Sequence, residues 1–308
     1  MAVVLPRTTT SAASATAPAR KAAAPAAGLA LAALATLVWS GSFVTSRGLH
    51  DSVPPVQHAF WRWVVALLAV APFGARRAWR QRTLIRRHAR HVLLASLLGV
   101  ATYNTLVNQA GLTTPAATMG LIMAAAPVLM AVFERLGGVR LGARRATGLL
   151  IACAGVALLV GGGARLTSGS LWMIAAACCF AGYSALLRRK PAELDGTGFL
   201  FTTFLTGTVL LLPVQTVSVA VQGSFHPTPA TVLPLLYVGV ASSAVAFFAW
   251  NKAIALIGAT RAGLVYHLQP VCVAALSWAL LGETTGPPQL LSMALILGGV
   301  VLGAGPRR

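Results

Sequence analysis

The sequence is short of charge, and above all of negative charge. Of its 308 residues only 9% are charged, and only five are acidic. A soluble domain of ordinary composition carries about 25% charged residues, so this chain has too little polar surface to cover a globule in water. Apolar residues make up 57% of the chain, and its mean hydropathy is +0.77. Lipid is therefore the natural solvent for most of it.

The same scarcities argue against several kinds of function. Prenyl-type transferases need clustered carboxylates for a metal, whereas the acids here are scattered. The four cysteines lie inside apolar runs without the spacing of metal ligands. No Walker-type nucleotide loop occurs, and the segment 182–185 lacks the last glycine of a hydrolase nucleophile elbow. We expect no enzyme, no cofactor and no metal.

The positive charge has the distribution of a membrane protein. The 24 Lys and Arg residues give a net charge of +19, which by itself is compatible with nucleic-acid binding. Most of them, however, lie in short gaps between apolar runs, where they fix membrane orientation. We expect the lipid bilayer as a partner and no nucleic acid.

Ten apolar runs predict ten transmembrane helices, since crossing a bilayer core takes roughly 20 apolar residues. Ten spans put both termini on one side, together with 21 of the 24 basic residues. Arg47 and Arg165 fall on the other side, and Arg62 lies inside the second span. The positive-inside rule then predicts a multi-pass plasma (inner) membrane protein with both termini cytoplasmic. The predicted spans are 28–48, 56–74, 91–111, 114–135, 143–163, 168–188, 195–215, 232–253, 260–282 and 286–305.

Residues 1–27 differ from the rest in composition. They are rich in Ala, Thr, Ser and Pro and carry three basic residues, which predicts a disordered cytoplasmic tail. A signal peptide is the alternative reading. The apolar run that follows continues through residues 39–42 with no clear cleavage site, which favours the tail.

The second half of the chain repeats the first. The stretches 108–128 and 251–271 align without a gap, 143 residues apart, and share an Asn, a Gly-Leu and a Pro-Val. The predicted unit is five spans, used once over 28–163 and again over 168–305. Because five is odd, the second copy must enter the membrane with opposite orientation. The expected fold is an all-α integral membrane protein of two inverted five-helix repeats, an arrangement typical of secondary transporters.

Five short motifs resemble those of a known family. They are LVWSGSFV at 37–44, AFWR at 59–62, AAAPV at 124–128, LQPV at 268–271 and LGE at 281–283. Each resembles a helix motif of the EamA-type family of the drug/metabolite transporter superfamily.

The resemblance covers roughly residues 28–305. It implies two five-helix bundles with a cavity between helices 1, 3 and 4 and helices 6, 8 and 9. It also implies movement of metabolites, amino acids or drugs, commonly outward. The sequence departs from the family at Gly138-Val139, where the first-half counterpart of Gly282-Glu283 lacks the glutamate.

Two prolines are predicted to break helices near the middle of the membrane. Pro127 and Pro270 each free a carbonyl four residues back, at Met123 and Tyr266, and broken helices commonly form transporter binding sites. His267, one turn before the second proline, is a candidate for proton coupling. A histidine packed between helices is the alternative reading.

Two charged residues are further candidates. Arg62 is the only strong cation inside a span, and it either contacts an anion or has a structural role. Glu283 ends the ninth span at the outer face, where it is either a gate or a helix-end residue bonded to neighbouring amides.

Aromatic and amide side chains in the spans suit the wall of a substrate cavity. Others of this type form interhelical hydrogen bonds instead. The candidates for the wall are Trp39, Ser42, Tyr103, Asn104, Asn108, Tyr183, Trp250 and Asn251.

Small residues one turn apart occur on two spans, Gly148 with Ala152 and Gly299 with Gly303. Such pairs let helices approach closely. We expect packing within each half, with a homodimer as the alternative.

These features together indicate a secondary transporter that exports small organic solutes by alternating access. Amino acids, metabolites and drugs are the expected substrate classes. A uniporter or facilitator is the alternative, and a receptor or a membrane enzyme fits less well.

Overall fold

The computed structural model describes residues 17–124, 126, 129, 143–161 and 167–303, and its described part is helical apart from short turns. The α-helices are α1 Ala17–Gly48, α2 Pro55–Arg80, α3 Arg82–Arg87, α4 Ala89–Ser96, α5 Tyr103–Gly111, α6 Ala116–Ala124, α7 Ala143–Gly161, α8 Ser168–Arg188, α9 Gly196–Gln222, α10 Pro229–Leu236, α11 Ala246–Tyr266, α12 Gln269–Leu281 and α13 Pro287–Gly303. Two π-helical segments interrupt the α-helical pattern, π1 at Leu97–Thr102 and π2 at Tyr237–Val245.

Five helices in the described ranges are long and apolar enough to cross a membrane. They are Pro25–Gly48, Pro55–Arg80, Ser168–Leu187, Gly196–Gln222 and Pro229–Ile254, and two shorter apolar helices are Ala146–Gly155 and Gln269–Leu281. Large apolar side chains also lie exposed on the outside, such as Leu68 and Val221. The all-helical character is thus confirmed for the described residues, and these helices have the length and composition that a membrane span requires. The count of ten spans stays a prediction.

Helices of the two sequence halves pack against each other in pairs. The helix α1 packs along α11, and α5 packs along α8. The remaining pairs are α2 with α9, α6 with α12 and α7 with α13. Every one of these pairs takes one helix from each half of the chain, so the two halves share a single interface.

Small residues allow a close contact between the backbones of α7 and α13. A Cβ atom added to Gly299 on α13 would lie 2.5 Å from the carbonyl oxygen of Gly148 and 2.6 Å from the backbone nitrogen of Ala152, both on α7. The expectation of packing within each half was wrong at this contact, because these small residues face a helix of the other half.

Two boundaries differ from those expected. Helix α1 already includes residues 17–27, where we expected a disordered tail; this stretch is rich in alanine, the strongest helix former. Helix α11 runs unbroken to Tyr266, where we expected a break at 254–259. In the first half Pro115 ends the corresponding turn, whereas its counterpart is Gly258, which does not force a helix boundary.

The α7–α13 contact predicts a position-specific loss of stability. Gly299→Leu places a side chain against the backbone of α7 and should lower the free energy of unfolding by about 1–3 kcal/mol. Gly298→Leu is the matched control, because a Cβ at this exposed neighbour meets nothing within 4 Å. Thermal unfolding of the detergent-solubilised proteins measures the difference. Equal melting temperatures for the two variants would contradict the contact.

Candidate functional site

A cavity of about 400 Å³ lies between the two halves of the chain. This volume is within the range of small-molecule sites. We call it the large cavity. It is lined by Trp39, Ser42, Phe43, Arg62, Trp63, Gly99, Val100, Tyr103, Asn104, Val107, Phe180, Tyr183, Ser184, Leu187, Phe204, Ser242, Ser243, Phe247, Trp250, Tyr266 and Gln269.

The structure brings eight of the sequence-predicted residues into this lining. They are Trp39, Ser42, Arg62, Tyr103, Asn104, Tyr183, Trp250 and Tyr266. The set of helices differs from the one that the resemblance implied. Helices α2 and α9 also contribute to the wall, while α6 does not. The reason is that α2 packs against both α9 and π2, which brings its inner face to the cavity.

A second, small cavity of about 40 Å³ adjoins the first. Met123 and His267 line it together with Pro270. It shares Phe180, Tyr266 and Gln269 with the large cavity. Helix α11 ends at Tyr266 and α12 begins at Gln269, so the helix is interrupted directly before Pro270, as predicted. The other predicted break, Pro127, lies outside the described residues.

Two predicted asparagines do not reach the large cavity. Asn108 is 5% exposed; its Oδ1 accepts a hydrogen bond from the Ser46 hydroxyl at 2.7 Å, and its Nδ2 donates to the Pro55 carbonyl at 3.2 Å. It therefore ties α1 and α2 to α5. Asn251 is exposed on the outside of α11. Successive helical residues point about 100° apart, and on this turn Trp250 faces the cavity while Asn251 faces outwards.

Both π-helical segments border the large cavity at equivalent places in the repeat. The offset of 143 residues carries π1 onto 240–245, which is the last part of π2. In each segment a backbone carbonyl accepts an indole N–H at 2.9 Å. Trp63 donates to Val100 in π1, and Trp39 donates to Ser242 in π2. Such segments are frequent at functional sites.

Arg62 lies at the cavity wall among hydroxyl groups. Its Nη2 donates to the Ser242 hydroxyl at 3.3 Å, and its Nε donates to the Ser243 hydroxyl at 3.2 Å. The Ser42 hydroxyl lies 2.6 Å from that of Ser242. The guanidinium also lies over the Trp63 ring, 5.5 Å from its centroid. Neither serine of π2 was predicted from the sequence. The repeat aligns Ser242 with Gly99 of π1, which also lines the cavity.

Three aromatic rings form one face of the cavity. The ring centroids of Trp39 and Trp250 are 5.4 Å apart, and Tyr266 lies 5.9 Å from the first and 5.6 Å from the second. The edge-to-face contacts among them are favourable for aromatic rings. This aromatic triad gives the cavity a large apolar surface.

Glu283 joins three helices at one end of the molecule. Its Oε1 accepts a hydrogen bond from Arg47 Nε at 3.0 Å, and its Oε2 accepts from the backbone N–H of Ala116 at 3.0 Å and from the Ser277 hydroxyl. Arg47 also donates to the Gly111 carbonyl at 3.0 Å. This network links the end of α1 and the α5–α6 turn to the end of α12. An acidic side chain at the start of α6 is favourable to the helix dipole.

The profile of the EamA-like transporter family matches residues 26–161 and again 167–304. The chain belongs to the EamA-like transporter family. Both halves match the same family profile, which agrees with the internal repeat. The family is one of transporters, so a transporter role and a multi-pass membrane location follow for this EamA-like chain, and no catalytic family is indicated.

Two curated relatives that are named as transporters align with this EamA-like chain over most of their length. A probable terminal-alkyne amino-acid exporter from Streptantibioticus cattleyicolor is 29% identical over 280 residues, which cover 87% of this chain and 90% of the relative. The uncharacterized transporter YdfC from Bacillus subtilis is 26% identical over 276 residues, covering 87% and 86%. A crystal structure at 21% identity superimposes with a TM-score of 0.62 over 90% of this chain and 96% of that one, which shows the shared fold.

The indole bond to π1 predicts a stability effect in this EamA-like protein. Trp63→Phe keeps an aromatic ring but removes the donor to the Val100 carbonyl. Leaving a buried group unpaired should cost about 1–3 kcal/mol of unfolding free energy. The control is Trp278→Phe, because this indole is 67% exposed. Unfolding of both variants in detergent measures the difference in stability. An equal loss of unfolding free energy in the two would contradict the prediction.

Proposed function

We propose that this protein is a secondary transporter that exports small organic solutes by alternating access through the large cavity. The observation that carries the proposal is the position of the cavity, whose walls come from both halves of the chain. A relative movement of the two halves would therefore change access to it, as in transporters built from repeats. The exporter relative supports the outward direction and amino acids as one substrate class, beside metabolites and drugs.

The helix pairs support an inverted repeat over 28–163 and 168–305. Exchanging the two halves turns α1 into α8 and α5 into α11. The contact of α1 with α11 then becomes the contact of α8 with α5, which is also observed. The pairs α2–α9, α6–α12 and α7–α13 map onto themselves. This is the pattern expected of two repeats related by a twofold axis.

The two ends of the cavity support an inward-facing state. Towards the end of α1, Phe43 lies in the cavity wall, and the Arg47–Glu283 pair lies about one helical turn further on. Towards the end of α8, the lining includes Ser184 and Leu187, and Arg189 follows directly after this helix. The distribution of basic residues supports a cytoplasmic location for the second end. In this proposal both termini are cytoplasmic and the Arg47–Glu283 pair is the outer gate.

Ser184→Leu tests whether solute passes through the large cavity. The Ser184 hydroxyl donates to the Phe180 carbonyl of its own helix at 2.7 Å, so leucine breaks no bond between helices and fills cavity space. Flux in proteoliposomes should fall about tenfold or more, because a filled site costs the substrate its contacts. The assay uses pooled labelled amino acids, metabolites and cationic drugs, with and without a pH gradient.

The matched control for this variant is Thr216→Leu. The Thr216 hydroxyl makes the same bond within its helix, to the Leu212 carbonyl at 2.8 Å, but the side chain is exposed. It should transport as the unaltered protein does. Normal flux in Ser184→Leu would contradict a route through the cavity. Accumulation that follows the gradient would establish coupled transport, and equilibration alone would establish a uniporter; the role of His267 in coupling stays a prediction.

Glu283→Gln tests the outer gate. Removing the charge weakens the bonds to Arg47 and Ala116, each of which depends on an ionised acceptor. In a background without the four native cysteines, a Ser42→Cys reporter in the cavity should then react about tenfold faster with an impermeant maleimide added from outside. The control is Asp51→Asn, since this carboxylate is 85% exposed. An unchanged labelling rate in Glu283→Gln would exclude the gate.

A further inference from the structure

The acidic residues of the described chain are all engaged away from the large cavity. Each of the four lies beside a basic residue elsewhere in the structure. The pairs are Asp51 with His50, Glu193 with His88, Asp195 with Arg77 and Glu283 with Arg47. In the described ranges, therefore, no carboxylate neutralises Arg62.

Arg62 is nevertheless almost completely buried, at 9% exposure. Its guanidinium stays charged in any protein environment, and a buried charge is costly unless it is paired. Among the described residues its hydrogen-bond partners are the hydroxyls of Ser242 and Ser243. A guanidinium has five N–H donors in a planar fork that matches a carboxylate. Two of these donors are used here, which leaves capacity for an anion from the cavity.

The rest of the cavity wall sets the character of that anion. Arg62 is the one charged residue that lines the large cavity as described, and the other polar lining groups are neutral hydroxyls and amides. A single positive charge matches a monoanion better than a doubly charged phosphate ester. The aromatic triad of Trp39, Trp250 and Tyr266 offers an apolar surface beside it. Trp39 connects the two regions, since its indole bonds the Ser242 carbonyl.

We propose that the large cavity selects organic monocarboxylates, with the carboxylate on Arg62 and the hydroxyl of Ser242 and the apolar body against the aromatic triad. This inference rests on the proposed transport function, because it names the substrate class of the same cavity. Among the described residues that line the cavity, a cation of equal size meets one positive charge and no counter-charge. Cationic drugs are therefore poor substrates, while amino acids bind through their carboxylate.

Three probes of nearly equal size separate charge from shape. They are phenylacetate, the neutral phenylacetamide and the cationic phenethylammonium. Calorimetric titration of the full-length protein in detergent should give a Kd for phenylacetate about tenfold or more below that for phenylacetamide, because bonds between charged groups are about twice as strong as neutral ones. Phenethylammonium should bind most weakly.

Variants of Arg62 assign the preference to this residue. Arg62→Gln should raise the Kd for phenylacetate about tenfold or more and leave that for phenylacetamide unchanged, and Arg62→Lys should keep part of the preference. The Ser243 hydroxyl accepts from Arg62 Nε and donates to the Val238 carbonyl at 2.8 Å, so it orients the guanidinium. Ser243→Ala keeps the charge and removes this support, so it should weaken phenylacetate binding by less than Arg62→Gln does. The matched control is Arg82→Gln, which removes a positive charge from the exposed helix α3 and should change no Kd.

The outcomes separate the substrate class from transport itself. Equal binding of the three probes, preference for phenethylammonium, or no binding of phenylacetate overturns the carboxylate inference, even if the proteoliposomes move solutes. Binding of phenylacetate that depends on Arg62, in a protein that moves no solute, supports the carboxylate site and overturns the transport proposal. If Arg62→Gln does not fold, Arg62→Lys and Ser243→Ala carry the test.

Discussion

The bilayer requires the chain to satisfy its own backbone polar groups, and this constraint governs how the cavity is built. The large cavity lies where two helices depart from the regular α-helical pattern, at π1 and π2. In each of these segments an indole N–H bonds a carbonyl, Trp63 at Val100 and Trp39 at Ser242. The tryptophans therefore hold the irregular backbone in place and at the same time form part of the cavity wall.

The helix packing is symmetric between the two repeats, whereas the side chains that line the cavity are not. The repeat makes Ser42 equivalent to Tyr183 and Ser242 equivalent to Gly99, and all four line the cavity. On one side the two serines share a hydrogen bond beside Arg62. On the other side the tyrosine ring packs so closely on the glycine that an added Cβ would lie 2.5 Å from it. Two equivalent contacts thus differ in chemistry: one is a pair of hydroxyls beside Arg62, and the other is an aromatic ring on a glycine.

The sequence predicted the helical membrane fold, and it predicted the helix break before Pro270, because hydropathy and proline act locally. It also pointed to Arg62, since a charge inside an apolar run is conspicuous. It did not predict the part played by Ser242, because a π-helical segment changes which residues face inwards without a signature in composition. It also predicted wrongly that Asn251 lines the cavity. The repeat places an asparagine at both 108 and 251, but on this turn of α11 Trp250 faces the cavity and Asn251 faces outwards.

The position of a bound ligand is the most direct test of the proposed carboxylate site. Crystals grown with 4-bromophenylacetate would locate the bromine by its anomalous scattering. We expect a bromine peak against Trp39, Trp250 and Tyr266, with the carboxylate within hydrogen-bond distance of Arg62. A bromine peak found only outside the large cavity, with no ligand density beside Arg62, would contradict it.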